Sequence, residues 1–540
     1  MTGVTALTAL RAAARECQLA APSFTDEQAA QGLAITDELR AVFLPPASST
    51  HAASRLLQLP AELLSAILSR LDTCDLARLA ATCRSLCRDA PTPTPPTRQI
   101  GPVETELRRR AEARGLDVGS SLPEGATSCV ACLLKRDRRA AQMRQAPLAV
   151  GHEHSIFVDK EGRLLTCGRD GVGTPLLGHA EDPDADPDAP REIGPPTLVP
   201  SMQAKRIVSI SSSNDHCLAL SAEGEVYSWG SGYFGALGHG DEGARAVPSR
   251  IATLSHIKCI AAGPNRTSAA VDEIGRLFTW GTARFYELQG DDGELDTVGG
   301  PVVLGYELDA ETEYQATPKR VDALSQDRVV GVAFGLTFTL AVTDAGAVFS
   351  FGFTGLGHGS LESEILPRRI EALTQTRRRF VAVAAGDHHA LALTEEGELY
   401  GWGDACANGH GGEERTPRRV AALLGERVRI IDARLDASCA VTEKGELFTW
   451  SSSGTCYNLS HGVDTPQDTP KRVEGLGGAR VTAVAIGGYH TLAADEDGVV
   501  WGFGEFTARL VDPSHGYGVN ISVEAPTPIP TLRVLALKLP

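Results

Sequence analysis

Four histidines, His154, His216, His389 and His490, each stand three residues after a glycine or its substitute (Gly151, Ser213, Gly386 and Gly487). Histidine at a fixed spacing is the residue type for a general base or a metal ligand near neutral pH. The same slot holds Arg266, Phe338 and Ala437 in the intervening copies. A place that accepts Phe and Ala as readily as His is a packing and hydrogen-bonding position, so these histidines read as structural. His388 and His389 alternate faces of a strand and do not converge on one ion. Cys129-Val-Ala-Cys132 is a lone pair; structural zinc takes four ligands, and no second pair follows nearby. Cys83 and Cys87, one helical turn apart, read as apolar packing. Gly230-Ser-Gly232-Tyr-Phe-Gly235 has dinucleotide-fingerprint spacing but leads into no helix, whereas the fingerprint needs a strand–turn–helix unit. No nucleophile elbow, Walker loop or zinc-protease motif occurs. The expectation is a chain with no catalytic residues, no cofactor and no metal.

The elements that carry the histidines repeat. A hairpin reads EGRLLTCG at 161–168, EGEVYSWG at 223–230, IGRLFTWG at 274–281 and AGAVFSFG at 345–352. It recurs as EGELYGWG at 396–403, KGELFTWS at 444–451 and DGVVWGFG at 497–504. Its turn glycines are Gly162, Gly224, Gly275, Gly346, Gly397, Gly445 and Gly498, spaced 62, 51, 71, 51, 48 and 53 residues apart. Trp229, Trp280, Trp402 and Trp450 close four of the hairpins. Period-two alternation predicts a strand before each turn, such as 389–393, and one after it, such as 398–402. A Gly-rich loop follows (235–240, 355–360). A Pro-led strand then ends the unit at 247–251, 317–321, 366–370, 416–420 and 469–473. Seven units of about 50 residues with four short strands each predict a seven-bladed β-propeller.

Residues 56–90 are different. Pro60 stands at a helix start, where its missing N–H is no loss. Leu63, Leu64, Ile67, Leu68 and Leu71 form one apolar face; Asp72 and Thr73 can cap a second helix carrying Leu76, Leu79, Cys83 and Leu86. Two helices this short leave apolar surface for a partner.

Both parts resemble known families. Leu59-Pro60, Glu62, Leu63-Leu64, Ile67-Leu68, Leu71, Asp75-Leu76, Leu79 and Cys83-Arg84 match the anchors of the F-box. That resemblance implies docking of these residues to a Skp-type adaptor on the cullin scaffold of an SCF-type ubiquitin ligase. The repeats resemble the regulator of chromosome condensation family over about 146–530, through recurring G-x-x-H, G-x4-W-G and L-G-H-G motifs. Ser451, Cys167 and the loop CANGHGG depart from its pattern.

The expected architecture is multidomain and mainly β. It comprises a poorly ordered arm (1–50), a small all-α F-box (56–90), a Pro-rich linker (91–97), a helical connector (98–145) and the propeller (146–540). The net charge is −17, while residues 98–145 carry 10 Lys/Arg against 6 Asp/Glu, so the acidity falls on the propeller. Such a surface repels phosphate backbones, and no nucleic-acid partner is expected. No run of about 18 apolar residues occurs, so no membrane span is expected. The 12 cysteines are scattered, with no secretory signal, which fits reduced thiols in the cytoplasm or nucleus. Two acidic insertions, 181–190 and 287–313, interrupt blades; they read first as solvated filler, with loops that contact a protein client as the functional alternative. The function expected is a non-catalytic substrate-recognition adaptor. Nucleotide exchange on a small GTPase, implied by the repeat family, and a non-ligase scaffold are the alternatives. The tryptophans sit mostly at one slot of the repeat and form no dense cluster for absorbing light. The C-terminal segment TPIPTLRVLALKLP is expected to supply a last Pro-led strand plus a further strand that closes the ring on the first blade.

Overall fold

Alternating apolar residues bounded by glycine turns give strands of 3–14 residues, and these pair only with their sequence neighbours. The computed structural model describes residues 146–534 except 172–173, 181–190, 284–302, 310–311, 405–406, 452–458, 462–466 and 508–519. The F-box residues, the arm, the linker, the connector and most of both acidic insertions lie outside the described residues.

Seven four-stranded antiparallel sheets follow one another as blades: one (Leu148–Leu198), two (Ile207–Arg250), three (Ile257–Arg320), four (Val329–Arg369), five (Phe380–Arg419), six (Val428–Arg472) and seven (Val481–Arg533). The first strands of successive blades touch all the way round, the seventh against the first, so they line the centre of a closed ring. Every second strand is buried along its full length, as in His389–Thr394. Fourth strands are outermost, half-buried in blades one to three and more exposed in blades four to six, as in Glu414–Arg419. Each core cluster joins side chains of adjacent blades; one holds Val150 and Phe157 of blade one with Leu492 and Val500 of blade seven.

The seven turn glycines have φ from +77° to +89°, the left-handed region where a side chain is strained. Short connectors between blades each bury one apolar wedge: Met202, Leu324 and Leu423 in 3-10 turns, Leu373 in the helix Glu371–Gln375. No sequence pattern marked these turns.

One expectation needs correction. The outer strands are not led by their prolines. They begin three or four residues before them, at Arg245, Tyr314, Glu364, Glu414 and Gln467, and the proline sits at a register shift within the strand. A bulge on an edge strand tolerates a residue with no N–H. Of the C-terminal segment, Asn520–Arg533 is the fourth strand of blade seven and Val534 makes an antiparallel bridge to Asp159 of blade one; residues 535–540, where the further strand was expected, lie outside the described residues.

Candidate functional site

Antiparallel order sends the loops between first and second strands, and those between third and fourth, to one mouth of the ring. The hairpin turns and blade-to-blade connectors lie at the other mouth. The repeated residues face the seams between blades near the first of these mouths.

Each histidine begins a second strand and reaches into the next blade. Nε2 of His216 lies 2.7 Å from Ser268 Oγ and Nε2 of His389 lies 2.7 Å from Ser438 Oγ. His490 Nε2 meets Ser155 Oγ at 2.8 Å, closing the ring, and His154 Nε2 meets Ser212 Oγ at 2.7 Å with Cys217 Sγ at 3.5 Å. The serines define the tautomer. Ser268 and Ser438 donate to the carbonyls of Ala236 and Ala407, so they accept from an Nε2–H. His389 is therefore neutral with its proton on Nε2, and its Nδ1 makes no hydrogen bond. Burial, the largest cause, holds all four imidazoles down at about 3. Such groups neither take up a second, charging proton at neutral pH nor face solvent, which is the behaviour of a seam and not of a base.

Tryptophan completes the seam. Trp229, Trp280, Trp402 and Trp450 donate Nε1–H to Leu176 O, Ala236 O, Gly355 O and Ala407 O of the preceding blade, at 2.7–2.9 Å. Phe351 and Phe503 fill the corresponding place in blades four and seven, and Cys167 in blade one. Trp501 stands two residues short of that place and donates to Asp495 Oδ2 at 3.1 Å. A second histidine position, missed as a slot in the sequence, lies in the loops after the third strands. His179, His239, His358 and His461 each place Nε2 within 3.1 Å of a third-strand hydroxyl (Thr166, Ser228, Ser350, Thr449). The recurring L-G-H-G spelling was its signal.

Blade three corrects one assignment. Thr267, not Arg266, occupies the histidine slot, since Thr267 pairs with Gly281 as His216 pairs with Gly230. Its loop is one residue longer, and the extra residue, Arg266, has φ +53° and an ion pair to Asp215 at 3.3 Å.

Blade six departs furthest. A Cβ at Gly151 or Gly386 would lie 1.9 or 2.1 Å from the slot imidazole, so the ring poses of His154 and His389 require glycine there, whereas His216 sits with Ser213, whose Oγ meets its Nδ1 at 2.9 Å. Blade six has Arg434 in the glycine's place and Ala437 in the slot, where the small side chain makes room. Arg434 donates from Nη1 to Ser212 O at 2.5 Å and from Nη2 to Asn214 Oδ1 at 2.8 Å. Blades six and two are not neighbours, so these bonds span the central channel. Asp432, Asp387 and Asp215 oppose the loss of the Arg434 charge that burial favours. Asp432 accepts from the N–H groups of Ala433 and Ile486, yet burial still pushes its carboxyl up to about 6. Beside this brace the mouth presents Tyr489, 38% exposed, edge-on to His152 at 4.6 Å.

Among the described residues, no group of three or more His, Cys, Asp or Glu is placed to hold a metal ion, and no helix is long and apolar enough to cross a membrane. The cysteines described there are free; burial pushes the Cys217 thiol up to about 12, which makes it a poor nucleophile.

Seven blades joined by one repeated seam define a propeller of the regulator of chromosome condensation type. The RCC1-like domain model matches residues 124–450 and the RCC1 repeat model residues 444–494, and the chain belongs to this family. An F-box-like model matches residues 56–90, so the chain is an F-box protein with an RCC1-type propeller. Among curated relatives, the E3 ubiquitin-protein ligase HERC2 of Homo sapiens is 34% identical over 366 residues, 65% of this chain. The match spans only 7% of HERC2. The ultraviolet-B receptor UVR8 of Arabidopsis thaliana is 30% identical over 60% of this chain and 69% of its own. Among solved structures, Prp20p of Saccharomyces cerevisiae aligns with a TM-score of 0.53 at 21% identity, over 73% of this chain and 89% of that one. That likeness concerns the fold.

Proposed function

We propose that this protein is a substrate-recognition adaptor of an SCF-type, cullin–RING ubiquitin ligase and catalyses nothing itself. The F-box residues Leu59, Pro60, Leu63, Leu64, Ile67, Leu68, Leu71, Asp75, Leu76, Leu79 and Cys83 dock a Skp-type adaptor. The propeller holds a client protein so that one of its lysines stays near the charged conjugating enzyme; proximity does the work. The observation that carries this reading is the F-box-like match at 56–90 joined to a propeller whose repeated residues are used up in holding blades together. Such a scaffold leaves its loops for recognition. Changing Leu63→Asp and Ile67→Asp together removes two aliphatic contacts worth roughly 1.5–3 kcal/mol each and adds buried charge. Pull-down of the Skp-type adaptor should lose signal by at least a hundredfold with the propeller still folded. Equal recovery by wild type and double variant overturns the reading.

A second reading, nucleotide exchange on a small GTPase, is favoured by similarity to the human regulator of chromosome condensation, 27% identical over 93% of that protein. A nucleotide-release assay across small GTPases, using the full chain, separates the two.

A further inference from the structure

The hairpin turns at the other mouth follow two recipes. In blades two, five and six the residue after the turn glycine is Glu225, Glu398 or Glu446, and each pairs with an arginine of its own fourth strand. The distances are 3.1 Å to Arg250, 3.2 Å to Arg419 and 3.0 Å to Arg472. Blade three has Arg276 in that place, while its fourth strand still ends in Arg320. Two guanidinium groups therefore stand where blades two, five and six pair a carboxylate with one; blade one also has an arginine there, Arg163, but its fourth strand ends in Leu198.

The consequence is a cleft of about 440 Å³ between the blade-three turn and the connector to blade four. Arg276, Arg320 and Arg328 line it, against Asp327 and Asp344. Arg369 of blade four acts on Asp327 from close by, and blade four offers Ala347, not a glutamate, after its turn glycine. The cations are held in place. Arg276 Nε is 2.5 Å from the buried Asp272, whose Oδ1 also accepts two backbone N–H groups. Arg328 donates to Glu273 O at 2.7 Å with its Nε 3.9 Å from Asp344, and a Cβ at Gly275 would lie 2.7 Å from Arg328 Cγ. Arg320 reaches Asp322 at 3.2 Å, a carboxylate 83% exposed to water. At the rim Ile274 is 52% exposed, an aliphatic side chain beside the three half-exposed guanidinium groups.

We propose that this cleft binds an acidic peptide segment, its carboxylates on Arg276, Arg320 and Arg328 and an aliphatic residue against Ile274. The volume suits two or three side chains and falls within the range of ordinary ligand pockets. Guanidinium groups match carboxylates in planar geometry and bind them more strongly than neutral donors do. The inference rests on the client-binding reading above and gives that client a chemistry.

The test uses the full chain and a fluorescent hexapeptide, Glu-Leu-Glu-Glu-Leu-Glu, read by anisotropy, with the Gln-Leu-Gln-Gln-Leu-Gln peptide and inorganic phosphate as further arms. Binding of the acidic peptide is expected, weakening with salt and at least tenfold weaker for the glutamine peptide. Arg320→Gln, on a half-exposed side chain, should weaken binding five- to tenfold. A second variant, Asp272→Thr with Arg276→Glu, copies blade five, where Thr394 Oγ1 accepts from Glu398 N at 3.0 Å. It should fold as wild type does and abolish binding. Equal affinity for both peptides, equal affinity for wild type and Arg320→Gln, or competition by phosphate alone at the same concentration as peptide overturns the proposal. Adaptor pull-down on the same preparation separates the two readings: no peptide binding with intact adaptor binding overturns the cleft alone.

Discussion

The exchange at blade six can be reversed, and the structure says what each half of the reversal costs. Ala437→His alone drives an imidazole against the Cβ of Arg434, in the arrangement where, in blades one and five, a Cβ would lie only 1.9–2.1 Å from the ring. Overpacking of that kind costs about 1–3 kcal/mol. Arg434→Gly alone removes the two cross-channel bonds to Ser212 O and Asn214 Oδ1. Bonds to a charged donor are worth about 1.5–3 kcal/mol each. Release of a guanidinium from burial offsets part of that, while glycine in a strand adds about 0.5–1 kcal/mol. A net loss of about 2 kcal/mol follows. The double variant Arg434→Gly with Ala437→His recreates the glycine–histidine pair. Its imidazole then has room, and Thr491 of blade seven stands where Ser438 receives His389. The new bond returns about 1 kcal/mol. The double variant should therefore be more stable than the sum of the singles by about 2–3 kcal/mol, a coupling well above that of independent sites. Urea unfolding followed by tryptophan fluorescence measures it, since four indoles are buried in the seams. Additive losses, or a double variant worse than both singles, would refute the claim that the steric rule of blades one and five also governs blade six.

Acidification should destabilise the propeller through its slot histidines. Their folded values near 3 lie below the ordinary imidazole value of 6.5, so the unfolded chain binds more protons between those limits and stability falls as pH drops. Asp432 and Asp170, raised from 3.8 to about 6 by burial, act in the opposite sense between those values, two groups against four. Urea midpoints should fall from pH 6.5 to 4.5, and His389→Gln should flatten the slope. Trp402→Phe should cost only about 1–2 kcal/mol, because Phe351 and Phe503 already fill that place and the chief loss is the bond to Gly355 O. Trp402→Ala should cost about 3–5 kcal/mol in the same assay. Gly401→Ser copies Ser228 and Ser350 of other blades, yet a Cβ there would lie 2.0 Å from Asn408 O, so a loss above roughly 2 kcal/mol is expected by urea unfolding.

The blade count was legible because each turn demanded a glycine with positive φ and each strand alternated in period two. Those are local constraints, and Gly224 or Gly397 writes them into the sequence directly. The structural character of His216 and His389 was legible from the company they keep at one slot. Their partners were not: Ser268 and Ser438 lie 52 and 49 residues away, and nothing near a histidine tells which distant hydroxyl it meets. The one-residue shift from Arg266 to Thr267 was hidden because counting from Gly263 cannot reveal a left-handed residue inside the loop. Proline misled for a related reason: Pro417 marks a bulge inside Glu414–Arg419 and not its start. Arg434 and Ala437 did carry a signal, a missing glycine matched by a missing histidine, but its meaning needs the geometry of the other blades.

The departures from the repeat are where function has room. A seam residue that works in seven blades is constrained by packing on both sides, so it cannot also be shaped for a ligand. Blade three breaks the pattern three times: an extra loop residue at Arg266, an arginine at 276 where blades two, five and six use glutamate, and the longest gap between turn glycines. The first departure lies at the mouth braced by Arg434, the second at the mouth with the acid-binding cleft. One blade thus alters both faces while keeping its seam, with Trp280 still bonded to Ala236 O at 2.9 Å. Altered at both mouths, blade three is the first surface to change when a client has been captured. Substitutions there should change client choice without changing the adaptor bound at residues 56–90.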